Sequence, residues 1–220
     1  PLRSTDRPNL VPLVFAGGTS CCNPEPMAPF MDLMVLGEGE EVDVEVLRLF
    51  QKARDEGWNK RDFLLEAAKI QGVYVPSLYE PVYSADGTLA EMRCLPGAPE
   101  KVTKRIIADL DSVYYPTTPI VPSTEIVHDR VNVELFRGCV RGCRFCQAGY
   151  VYRPIRAKKP ETVIRQGIES IKNTGSQEAT LLSLSSSDYR CLSEACDGLP
   201  EYCEPRTVSP SLPHLRPAHF

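Results

Sequence analysis

The chain has 220 residues, 42% hydrophobic and 25% charged, which leaves room for one large domain or two small ones. The formal net charge of −4 is not the basic excess of a nucleic-acid binder, so a nucleic-acid substrate stays open only through a local patch. No apolar run reaches the roughly 20 residues of a membrane span, and nine unevenly spaced cysteines with no apolar leader point to a reducing cytoplasm rather than a disulfide framework.

In chain order, residues 11–18 read as a short buried strand running into the turn Gly17-Gly18, and residues 31–36 as a second strand ending in Gly37-Glu38-Gly39. Val42, Val46, Leu49 and Phe50 have helical spacing, with Gly57 as the stop, and a second helix is expected over 61–70. Strands alternating with glycine loops and helices predict an open α/β sheet. Asp86-Gly87 marks a hairpin within 83–94, and 102–110 reads as a further strand. Prolines at 116, 119 and 122 mark an extended linker. Residues 131–136 then form a strand leading into a cysteine cluster. Pro160 and Gly175 bracket a helix whose apolar face carries Val163, Ile164, Ile168 and Ile171. A strand over 179–184, a weak helix over 192–202 and a short strand over 207–212 complete a β-loop-α-β-α-β pattern, as in a (β/α) barrel.

The cluster is Arg137-Gly138-Cys139-Val140-Arg141-Gly142-Cys143-Arg144-Phe145-Cys146. Three thiols at C-x3-C-x2-C after a strand can share one inorganic core, and Gly138 and Gly142 permit the tight turn this needs. Arg137, Arg141 and Arg144 favour thiolate over thiol. Iron–sulfur clusters usually take four cysteines, so supplying three leaves one iron open. A zinc site remains the alternative, with His128, Cys191, Cys196 or Cys203 as fourth ligand, although none forms a second zinc knuckle.

This loop, with Phe145 before its last cysteine, resembles the signature of the radical SAM superfamily. The wider string from Glu134 to Gly149, then Tyr152-Arg153-Pro154-Ile155-Arg156, is similar to the branch with a cobalamin (B12)-binding-like domain in front. Ala16-Gly17-Gly18, Asn23-Pro24-Glu25-Pro26 and Asp32 to Glu40 resemble the end of that domain. The resemblance implies a fold in three parts. Residues 1–80 are the C-terminal part of a Rossmann-like domain, 81–124 a hairpin and proline-rich linker, and 125–220 the first half of a partial (β/α)6 barrel. It also implies a [4Fe–4S] cluster on Cys139, Cys143 and Cys146, whose open iron chelates S-adenosylmethionine (SAM) for reductive cleavage to a 5′-deoxyadenosyl radical. Phe145, Ser183, Ser185, Ser187 and Asp188 are the implied SAM contacts, the latter four at a strand end where barrel sites are built. For each serine, closing a turn is an equal reading.

Gly17, Gly18, Gly37 and Gly39 are candidate cobalamin loops, though the turns that any α/β sheet requires are the favoured reading. The sequence has no Asp-x-His-x-x-Gly, and its three histidines (His128, His214, His219) lie elsewhere. With only about three barrel strands after the linker, the chain is expected to be an internal piece of a longer protein. A flavodoxin, ferredoxin or reductase is the implied electron donor, and the substrate is open. The competing readings are a non-catalytic iron–sulfur or zinc module and an inactive fragment.

Overall fold

A computed structural model describes residues 1–124 and 126–216, so His219 lies outside the described residues. The chain is a mixed α/β protein that divides into two compact units, Pro1–Ile107 and Ala108–Phe220.

The first unit is organised around an all-apolar, fully buried strand. The chain runs through β1 (Phe15–Ala16), β2 (Leu33–Val35), α1 (Gly39–Asp55), α2 (Lys60–Ala67), β3 (Val73–Tyr74), β4 (Tyr79–Tyr83) and β5 (Leu89–Cys94). Strand β2 is central, with β1 parallel on one side and β3 antiparallel on the other. The strand expected over 11–18 is reduced to two residues. The Asp32 carboxylate accepts from the Val14 N–H (2.7 Å), and Val14 O accepts from the Asp32 N–H (2.8 Å), so sheet pairing begins only at Phe15.

Helix α1 buries Val42, Val46 and Ala53. Its acidic first turn (Glu40, Glu41) and basic last turn (Lys52, Arg54) both suit the helix dipole. Helix α2 is capped by Asn59, whose side chain accepts from the Asp62 N–H at 2.9 Å. The core joins Leu33, Val35, Val42, Val46 and Phe63, with Phe50 packed edge-on to Phe63 at 5.8 Å. The hairpin expected around Asp86-Gly87 is β4–β5. The strand expected over 102–110 is not one: Arg105 makes a single parallel bridge to Gly37.

The second unit runs through β6 (Val131–Glu134), β7 (Phe136–Arg137), α3 (Ala148–Val151), β8 (Arg156–Ala157), α4 (Pro160–Thr174), β9 (Glu178–Leu182), α5 (Leu192–Cys203) and β10 (Ser209–Ser211). Strands β6, β9 and β10 form a parallel sheet with β9 in the middle. Helix α4 begins on Pro160 and ends at Gly175, which takes φ +70 and donates its N–H to Ile171 O (2.9 Å). Helices α4 and α5 pack together, and Val163, Ile171, Leu199 and Cys203 join Val133 and Leu181 in a second core. The short antiparallel pair β7–β8 is an addition to the expected pattern. Residues 111–117, within the expected linker, lie against this unit: Lys159 N–H donates to Asp111 (2.9 Å), and Tyr115 Oη donates to Asn132 O (2.6 Å).

Candidate functional site

The cysteine loop leaves the C-terminal end of the parallel sheet. Leu135, directly after β6, donates its N–H to Leu182 O of β9 (2.9 Å) and accepts from the Lys158 N–H (2.9 Å). The chain then turns up into β7, and β8 returns beside it. Between them the backbone passes very close to itself. Gly138 has φ +99, and a Cβ there would lie 2.4 Å from Pro154 O and 2.6 Å from Tyr152 O. A Cβ on Gly149 would lie 2.5 Å from Arg141 O. Both closures therefore require glycine. Cys139 N–H donates to Tyr152 O (3.1 Å), and Cys146 N–H donates to Cys143 O (3.0 Å).

Cys139, Cys143 and Cys146 are half-buried thiols, none in a disulfide. The structure puts them in one loop without drawing them together: among the described residues, no three His, Cys, Asp or Glu side chains are gathered closely enough to hold a metal ion. The arginines are less available than their sequence positions imply. Arg137 forks onto Glu134 (2.8 and 3.1 Å), and Arg141 forks onto Asp188 (3.1 and 2.5 Å). Arg144 is exposed. Phe145, the expected aromatic contact, is 93% exposed.

Opposite the loop, β9 runs into a serine-rich 3-10 turn (Ser186–Asp188). Ser183 and Ser185 are buried. Ser183 Oγ bonds Ser186 Oγ (3.0 Å), Ser187 Oγ accepts from the Arg216 N–H (3.4 Å), and Ser185 Oγ is buried without a protein partner. Asp188 N–H donates to Ser185 O (2.8 Å), closing the turn. Buried Tyr189 follows. Its hydroxyl donates to Lys158 O (2.8 Å), and its ring stacks on Phe136 of β7. Burial, then the negative character of neighbouring Cys191, push its pKa up to about 12.

The glycine loops of the first unit are shaped by their own chain. Gly17 packs on Val35, Gly18 (φ +95) faces open space, and Gly39 sits against the Asp43 carboxylate. At Gly37 (φ +109) an added Cβ would lie 2.1 Å from Arg105 O. Arg105 N–H donates to Leu36 O (2.8 Å), Arg105 O accepts from the Glu38 N–H (3.1 Å), and the Glu38 carboxylate accepts from the Ile107 N–H (2.5 Å). The Arg105 guanidinium holds Glu41 (2.7 Å) and Glu45 (2.6 Å) of α1.

Comparison with known proteins places the first third of the chain. Residues 1–76 match the family model described as radical SAM proteins, N-terminal. Through those residues the chain is similar to radical SAM proteins. An uncharacterized protein of Methanocaldococcus jannaschii is 28% identical over 190 residues, 84% of this chain. The chain spans about a third (35%) of that relative's length.

The donor chemistry of the loop suits an iron–sulfur cluster. It offers three half-buried thiols on a backbone whose closure fixes where they start, with no disulfide competing for them. The Gly37 loop does not suit cobalamin, because the Arg105 segment fills it and two carboxylates occupy the first turn of α1.

Two features escaped the sequence reading. The partnership of Arg141 with Asp188, 47 positions apart, had no signal beyond opposite charge. A cleft of about 610 Å³ opens at the N-terminal ends of β6 and β9, away from the cysteine loop. Tyr115, Pro119, Ile120, His128, Arg130 and Ser170 help to line it, although the proline spacing reads as an extended linker.

Proposed function

We propose that this chain forms the cluster-binding part of a radical SAM enzyme, with Cys139, Cys143 and Cys146 as ligands of a [4Fe–4S] cluster. The observation that carries this reading is the C-x3-C-x2-C loop at the C-terminal end of β6, in a chain whose first 76 residues match the N-terminal region of radical SAM proteins. On this reading the first unit is the C-terminal part of a cobalamin-binding-like domain, and the parallel β6–β9–β10 sheet is the start of a partial (β/α)6 barrel. The domain limits 1–80, 81–124 and 125–220 belong to the same proposal.

When bound, a three-thiolate cluster supplies the electron that cleaves SAM reductively to methionine and a 5′-deoxyadenosyl radical. The chain's own residues have narrower tasks. The three thiols ionise and bind iron, and exposed Arg144 lowers the cost of the negative charge they gather. Ser183, Ser185 and Ser187 line the neighbouring strand end as candidate polar contacts for SAM. Ser185 is the favoured one, since its buried hydroxyl has no protein partner. Phe145, exposed in the same loop, is the candidate aromatic contact for SAM. Electron donor, substrate and cytoplasmic location are proposals for the whole protein; among the described residues, no helix is long and apolar enough to cross a membrane.

Anaerobic reconstitution tests the reading. About four irons and four sulfides per chain are expected, with SAM changing the EPR signal of the reduced cluster. Cys143→Ala is expected to lose the cluster. Tight zinc without iron, or a Cys143→Ala chain that assembles the cluster normally, overturns the ligand assignment. For the whole protein, dithionite-dependent release of 5′-deoxyadenosine is the decisive assay.

A further inference from the structure

We propose that Arg141 and Asp188 form a positioning pair that latches the cysteine loop onto the serine-rich turn after β9 and sets how the loop meets SAM. This rests on the cluster-binding reading above and gives Asp188 a different role from direct SAM contact.

The geometry supports the latch from both ends. Arg141 lies two residues from Cys139 and two from Cys143, so fixing its position confines both thiols to within about 7 Å of chain. Its guanidinium meets Asp188 as a fork, Nε to Oδ2 at 3.1 Å and Nη2 to Oδ1 at 2.5 Å, which commits both carboxylate oxygens. The anchor is rigid. The turn bearing Asp188 is closed on Ser185 O and held to His214 O through the Ser186 N–H (3.2 Å), and the next residue, Tyr189, is buried. Tyr189 also stacks on Phe136, two residues before Gly138, so one short segment fixes the entry of the loop and its middle.

Magnitudes favour positioning over stability. The Arg141 side chain is 41% exposed, and ion pairs open to water add little to stability. A bidentate fork still restricts orientation, because both hydrogen bonds must form together. The charges also select against other arrangements. The pair joins opposite charges 47 positions apart, so neither partner meets the other without bringing the loop and the turn together.

The test uses the full chain as wild type, Asp188→Asn, and the exchange Arg141→Asp with Asp188→Arg. In the cluster-free protein, amide hydrogen exchange over 138–147 is expected to become several-fold faster in Asp188→Asn and to slow again in the exchange variant, with the thermal midpoint nearly unmoved. In the reconstituted protein, Asp188→Asn is expected to keep iron but to need about tenfold more SAM for the same EPR change. Wild-type exchange rates in Asp188→Asn overturn the latch, as does an exchange variant that rescues nothing. A wild-type chain that takes up no iron overturns the cluster reading instead. The exchange arm needs no cluster, so the two failures remain distinct.

Discussion

Asp32 shows how much of the first unit depends on single buried charges. Its side chain is fully buried, between Lys60 Nζ (2.6 Å) and Arg7 Nη2 (3.2 Å), and it also accepts from Ser4 and the Val14 N–H. Burial pushes the Asp32 pKa up, but the bonds from Lys60, Ser4 and Val14 outweigh it and hold the carboxyl below its ordinary range. Asp32→Ala would leave two cations without their shared partner, at a cost of about 3–5 kcal/mol in urea unfolding of this unit. A depressed folded pKa gives stability that is complete above the unfolded value, near 4, and is lost as pH falls through the folded value. Acid titration of unfolding should therefore show a loss below about pH 4 that the alanine variant lacks. Gly138 carries the corresponding burden in the second unit. An alanine there meets two carbonyl oxygens and an unfavourable φ, a strain of roughly 1–3 kcal/mol. The loop should reopen to avoid it, so Gly138→Ala is expected to lose reconstituted iron while the far-UV spectrum holds; unchanged iron content would contradict the closure. Such contacts are the part of the site a sequence hides. Gly138 was legible as a turn, but the carbonyls it must avoid come from Tyr152 and Pro154, across the loop.

At the level of elements, local signals were readable and pairing was not. Pro160 and Gly175 bounded α4 correctly because each acts on its own backbone, and Asp86-Gly87 located the hairpin for the same reason. Strand β3 went unread, since two residues after a glycine carry no periodicity. The 102–110 segment was misread: Val102, Ile106 and Ile107 suggest a strand, yet the segment spends its polar groups on the Gly37 turn and the acids of α1. Filling that turn has a binding consequence. Open α/β sheets take cofactors beyond the carboxyl ends of their strands, and here the space beyond β2 is occupied by Arg105. Titration of the chain with hydroxocobalamin should give spectra that simply add. A saturating visible-band shift that is abolished by substitution at Gly37 would show that the segment moves aside.

Across the whole molecule, the main hydrophobic cores of the two units share no residue among those described. Leu33, Val35, Val46 and Phe63 close one within the first unit, and Val133, Leu181 and Leu199 close the other within the second. Each has its own sheet and its own helix pair, so each has what cooperative unfolding requires, and a single two-state transition is not the natural description of this chain. The one tryptophan separates the two signals. Trp58 packs against the first core, donates Nε1–H to Glu56 (2.9 Å) and lies under Lys52, so its fluorescence reports the first unit, whereas far-UV circular dichroism reports both. Leu199 is fully buried in the second core, and Leu199→Ala should cost about 2–5 kcal/mol there through lost burial and the cavity left behind. That variant is expected to shift part of the dichroism transition in urea to lower concentration while the Trp58 transition stays in place. Asp32→Ala should do the reverse, moving the fluorescence transition and sparing the second-unit part of the dichroism. If either substitution moves both probes together, the units unfold as one, and the separation of their cores does not extend to their stability.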